Sequence, residues 1–167
     1  YYKGELVTFP SADTRDSAVV LHRVDGIYAR GKGRINPIEA QAVPSEAIKH
    51  LSDRARKELS LGIVTMNSEQ QRLIEDLLDS ERRKRPDLER FFNYNAREPV
   101  FIKNLETVQG DQRDIIMISV CYGPTEPGAA TMSMSFGPLN RKGGERRLNV
   151  AITRATSEVM VFTSFDS

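Results

Sequence analysis

Apolar and polar residues come in blocks along the chain, and the length and period of each block select an element. "AVVLHRV" (18–24) is a short apolar run and predicts a strand. Asn36 followed by Pro37 predicts a helix start, because asparagine caps a helix and proline fits its first turn. The helical pattern then runs over 38–59, interrupted or kinked at Pro44. "LGIVTMN" (61–67) is apolar until its last residues and predicts a buried strand. Ser68 is placed to cap the next helix (69–85), with Leu73, Leu77 and Leu78 turned inward. Further strands are predicted at 99–105, 115–122 and 158–165. Strands alternating with helices imply a parallel sheet covered on both faces.

The last helix predicted, 146–155, is sided in three ways. Leu148, Ile152 and Ala155 form an apolar stripe, and Asn149, Thr153 and Thr156 a polar one. Arg147 and Arg154 lie two turns apart and point the same way. A core needs only the apolar side, so the arginines ask for another explanation. Residues 123–144, rich in glycine, predict a long surface loop in front of this helix.

Composition narrows the class without choosing a function. The 167 residues, 39% hydrophobic and 28% charged, suit one domain with a real core. A net charge of +1 neither demands nor excludes nucleic acid. The lone Cys121 cannot form an internal disulfide, which makes a reducing, cytoplasmic setting the expectation. No apolar run has the length of a membrane span. The opening "YYKGELVTFP" has neither a start methionine nor a signal pattern and reads as part of a larger protein.

Chemistry in open α/β sheets gathers beyond the carboxyl ends of the strands. The second strand delivers Thr65, Asn67 and Ser68 there, and the third delivers Asn104, Thr107, Gln109, Gly110, Gln112 and Arg113. Polar side chains, a glycine turn and arginines suit phosphates better than an apolar ligand. Thr65, Asn67 and Asn104 are also good helix caps. "GIYARGKG" (26–33) fits a phosphate-cradling loop except at Gly33, where that loop needs a hydroxyl for magnesium, and it reads as a turn. Asp111 and Asp114 lack the histidines or further acids of a metal site and read as caps. The cluster "ERRKRPDLER" reads as a solvated helix end, and His22 and His50 read as structural.

"GIVTMNSEQQRLIEDLL", "NLETVQGDQRDIIMISV" and "RRLNVAITRA" stand in the order and spacing of motifs IV, V and VI of superfamily 1 helicases. The last two resemble the Upf1-like branch, as does the N-x-x-E-A element in "INPIEA" (35–40). The resemblance runs from about residue 19 to the end, with residues 1–18 as a lead-in. It implies one domain over 1–167, a three-layer α/β RecA-like (P-loop NTPase-like) fold with a mainly parallel sheet. This would be the second RecA-like domain of a two-domain motor that is driven by ATP and moves single-stranded or partly duplex DNA or RNA. The first RecA-like domain of the same chain would be its partner and would carry the phosphate loop and the Mg2+ ligands.

Within that resemblance Arg154 matches the arginine finger, which neutralises charge during phosphoryl transfer. Arg147 would support the phosphate site or motif V. Gly110, Gln112, Asn36 and Glu39 would fall on the nucleotide side, and Thr65, Asn67, Asn104 and Thr107 on the nucleic-acid backbone. Two positions depart from the family pattern. Gln112 stands where a glutamate usually bonds the ribose, and Pro37 where an arginine often follows the asparagine. A RecA-like binding module that has lost hydrolysis is the alternative these departures raise.

Overall fold

The computed structural model describes residues 18–31, 33–129, 132 and 135–165. Residues 1–17 of the lead-in, and Lys32 of the glycine-rich turn, lie outside them. Five strands, β1 (Val19–Arg23), β2 (Leu61–Thr65), β3 (Phe101–Asn104), β4 (Arg113–Ser119) and β5 (Ala155–Thr163), form one sheet in the order β1-β5-β4-β2-β3. Every pairing is parallel. Three helices, α1 (Pro37–Ser52), α2 (Ser68–Lys84) and α3 (Gly144–Ile152), provide the crossovers.

Alternation along the central strand builds two cores. Ile115 and Met117 face a layer made by α1 and α2, where Val43, Ala47, Ile74 and Leu78 are buried. Ile116 and Ile118 face the other way, with Val64, Val159 and Ala151 of α3. Helices therefore cover both faces, and β4 is buried on each, as a central parallel strand must be. This is the three-layer arrangement expected from the pattern.

Several boundaries differ from the sequence expectation for local reasons. Helix α1 runs unbroken through the buried Pro44 and stops at Ser52, well short of 59. Asp53 is extended there, and its carboxylate accepts from the Ala55 amide at 2.9 Å, turning the chain. Asn67, not Ser68, caps α2: its backbone is still extended, and its side chain accepts from the Gln70 amide at 2.8 Å. Ile74 and Leu78 carry the inward face of α2, with Leu73 and Leu77 half-buried beside them. Helix α3 ends at Ile152, so Arg154 lies in the turn before β5 rather than on the helix. The apolar stripe of α3 is Leu148 and Ala151; Ile152 is 41% exposed.

Candidate functional site

The sheet separates the candidate residues into two groups, one at each end. Thr65 and Asn104 finish β2 and β3, paired with each other and level with Ser119 of β4. Arg113 and Ala155 pair at the opposite end, where β4 and β5 begin. Gln112 and Arg154 are the residues just before them. The length of β4 keeps the two ends roughly 20 Å apart at about 3.3 Å per residue. The sequence reading had placed both groups on a single edge. The physical reason for the difference is that the β3–β4 connection is itself a crossover: it leaves Asn104 at one end and delivers Gln112 to the other.

At the amino-terminal end of the sheet, the Arg113 amide donates to the Arg154 carbonyl at 3.0 Å and ties the two segments together. Gly110 is exposed with φ +90, a conformation that favours glycine. Gln112 is exposed. Arg154 is half-buried; its Nε donates to the Val150 carbonyl at 3.1 Å, and among the described residues it has no acidic partner. Arg147 lies near the start of α3, about two turns before Arg154; it is half-buried, and its Nη1 is buried without a hydrogen-bond partner. An unsatisfied buried guanidinium nitrogen is costly, and an anionic ligand is one way to satisfy it.

Neighbouring polar residues are structural. Arg113 is 8% exposed, donates to the Pro99 carbonyl at 2.7 Å and lies over the Phe101 ring. Asp111 pairs with Lys103. Asp114 accepts from the Ser60 amide at 2.8 Å and the Thr156 hydroxyl at 3.0 Å. No group of three or more potential metal ligands occurs among the described residues.

At the carboxyl-terminal end lies a buried polar network that the sequence reading missed in part. Glu39 Oε1 accepts from the Ser119 hydroxyl at 2.7 Å and the Cys121 amide at 2.6 Å, and its Oε2 from the Ser164 hydroxyl at 3.4 Å. Asn36 caps α1, donates to the Ser164 hydroxyl at 2.7 Å and shares two hydrogen bonds with the Gln70 amide. Asn36, Glu39, Gln70 and Ser119 have no exposed surface. Asn36 and Glu39 were expected on the nucleotide side; in this fold they are spent on holding α1, α2, β4 and β5 together. Burial pushes the Glu39 carboxyl up to about 7, against the lowering effect of its hydrogen bonds. Ser119 and Ser164 carried no motif; their one signal was a hydroxyl where an apolar strand ends.

The residues expected on nucleic acid stand beside this network. Thr65 is fully buried, and its hydroxyl donates to the Asn67 carbonyl at 2.8 Å, so it shapes the loop rather than facing solvent. Asn67 caps α2 and also donates to the Arg34 carbonyl at 3.1 Å. Asn104 accepts from the Glu106 amide at 3.0 Å and donates to Gln71 at 2.9 Å. Thr107 is exposed on the same turn. Residues 29–35 form a small hairpin through the Ala29–Ile35 bridge, with α1 starting only at Pro37, so the glycine-rich turn is not a strand-to-helix phosphate loop. His50 bonds the Leu59 carbonyl, and His22 stacks on Phe162.

A family model described as an AAA domain matches residues 5–166. The chain belongs to that family. Within it, the chain corresponds to the C-terminal region of Upf1-like superfamily 1 helicases. It is 36% identical over 166 residues to the "Uncharacterized ATP-dependent helicase MG140" of Mycoplasma genitalium. It is 35% identical over 166 residues to the homologue in Mycoplasma pneumoniae. Each alignment covers 96% of this chain and 14% of the relative, so the domain spans a small part of those proteins. A solved structure described as the C-terminal part of the Fun30 ATPase domain matches at 15% identity and a TM-score of 0.41, covering 78% of this chain and 44% of that one. No helix among the described residues is long and apolar enough to cross a membrane.

Proposed function

We propose that this domain is the C-terminal motor half of an ATP-dependent helicase or translocase. Arg154 is its arginine finger, and the strand ends around Asn67 and Thr107 form part of its nucleic-acid surface. The observation that carries the proposal is the pairing of Arg113 with Arg154 at one end of the sheet. It sets Gly110 and Gln112 of motif V beside Arg154 of motif VI, away from the groups expected to meet nucleic acid. Bound ATP with magnesium would supply the γ-phosphoryl group transferred to water.

The residues present fit that group. Arg154 has one nitrogen held by the Val150 carbonyl and no acid to neutralise it, so the rest of its guanidinium is free for an anion. The buried, unpartnered Arg147 nitrogen offers a second cation on the same segment. Gln112 is exposed beside Arg154 and can accept a hydroxyl hydrogen bond without contributing charge. Holding the finger by its Nε while leaving the terminal nitrogens available orients it before charge develops, where preorganised electrostatics act most strongly.

The test is steady-state ATPase of the full-length protein with saturating single-stranded nucleic acid, beside a thermal melt. Arg154→Ala is expected to melt normally and lose on the order of 10³-fold in turnover. Arg154→Lys should fail too, because a point charge on a flexible stem does not reproduce the planar fork. An Arg154→Ala protein that turns over within about threefold of its parent would remove the finger from the mechanism. If the parent itself binds nucleic acid without hydrolysing ATP, the domain serves as a binding module instead.

A further inference from the structure

A small pocket of about 250 Å³ opens beneath the 29–35 hairpin, at the same end of the sheet as Asn67. Its floor is Tyr28 and Tyr122, packed edge to face with centroids 5.1 Å apart and both nearly buried. Its rim carries Arg30 and Arg34, both exposed. The floor depends on Gly137, where an added Cβ would sit 2.1 Å from the Tyr122 hydroxyl oxygen.

Three observations bear on what fits there. The hairpin is pinned: the Ala29 amide donates to the Ile35 carbonyl at 2.8 Å, and the Arg34 amide to the Ala29 carbonyl at 3.1 Å. Arg34 has φ 54, a left-handed conformation that costs a non-glycine residue energy. Its carbonyl is held by Asn67 at 3.1 Å and by the Cys121 thiol at 3.4 Å. The surroundings thus fix Arg34 beside the cap of α2. Charge is the second observation. Arg30 has no acidic partner among the described residues, and Arg34 has one, the Glu69 carboxylate. An exposed pair of this kind is weak and is easily exchanged for a phosphate. Size is the third. The pocket falls below the roughly 300–1,000 Å³ of whole small-molecule sites, so it suits one anionic group on a longer ligand.

We infer that this pocket seats a backbone phosphate of a single nucleic-acid strand, held between Arg30 and Arg34 over the tyrosine floor. The inference rests on the nucleic-acid function proposed above and extends that surface from Asn67 onto a hairpin outside the three motifs. Glu69 then acts as the intramolecular competitor that the phosphate displaces from Arg34.

The experiment measures anisotropy of fluorescein-labelled 15-mers of thymidylate and of uridylate, titrated with full-length protein at several salt concentrations, with a melt of each variant. Arg30→Ala/Arg34→Ala should weaken binding of the preferred strand roughly fivefold or more and flatten the log–log salt slope by about 0.7, the value for one phosphate contact on a single strand. Glu69→Gln keeps both arginines and should tighten binding. A well-folded double variant with the parent's affinity and slope overturns the inference and leaves the wider nucleic-acid function standing. If the double variant does not fold, an unchanged Glu69→Gln affinity overturns it. A parent that binds neither strand removes the nucleic-acid function and this site with it.

Discussion

Glu39→Gln should change how the stability of this domain depends on pH. The Glu39 carboxyl is fully buried and pushed up to about 7, against an ordinary value of 4.5. The folded-state value is raised, so the stabilisation is complete below pH 4.5 and is lost as pH rises through about 7. Between those limits the unfolded chain releases the proton and the folded one keeps it. A difference of about 2.5 pH units at about 1.36 kcal/mol each makes ionised Glu39 cost about 3 kcal/mol at pH 8. Glutamine is nearly isosteric and cannot ionise. Its oxygen can keep the donations from the Ser119 hydroxyl and the Cys121 amide, and its NH2 can donate to the Ser164 hydroxyl, which has a free lone pair. Any misfit of the amide is independent of pH, so the slope isolates the ionisation. Melts of the parent and of Glu39→Gln at pH 5, 6, 7 and 8 should diverge by about 2.5 kcal/mol between pH 5 and pH 8 in the variant's favour, roughly 5–10 °C for a domain of this size. Parallel curves over that range would show that the folded Glu39 carboxyl is not raised and is ionised throughout.

Two further outcomes follow from the packing. Gly62→Ala should destabilise the domain by about 1–3 kcal/mol in urea unfolding, because a Cβ there would meet the Phe101 ring at 2.4 Å and Ile116 at 2.8 Å. Burial pushes the Cys121 thiol up to about 12, so a disulfide reagent at pH 8 should leave it untouched in the native protein and label it fully in guanidinium.

The sequence carried the architecture better than the boundaries, and the difference has a physical basis. Buried parallel strands announce themselves as unbroken apolar runs, so β2 and β4 were placed to within a few residues. Helix ends turn on one or two hydrogen bonds. Asp53 ending α1 and Asn67 replacing Ser68 as the cap of α2 are choices between residues that all cap well. The motifs named a group of residues without saying which would be exposed. Thr65, Asn36 and Glu39 belong to that group and are buried at 0% exposure, whereas Gln112 and Thr107 reach solvent. The pattern of residue types cannot make that distinction. It depends on Ser119 and Ser164, which lie far along the chain and meet Glu39 only after β4 and β5 have paired.

The division of the site between two ends of the sheet places particular demands on the elements that join them. β4 leads from Gln112 at one end to Ser119 and Cys121 at the other, and both of its faces are buried. Helix α3 and its following turn supply Arg147 and Arg154 and pass directly into β5, which ends beside Ser164. Arg154 is therefore tied to the strand pair by the Arg113 amide, and the far ends of those same strands are tied to α1 and α2 by Glu39, Asn36 and Gln70. A close-packed sheet resists bending between such anchors. The arrangement makes the sheet a stiff frame between its two ends. The polar network earns its burial cost in this way, since an apolar replacement of Glu39 would fill the space but release the Cys121 amide and the Ser119 and Ser164 hydroxyls that fix where β4 and β5 end.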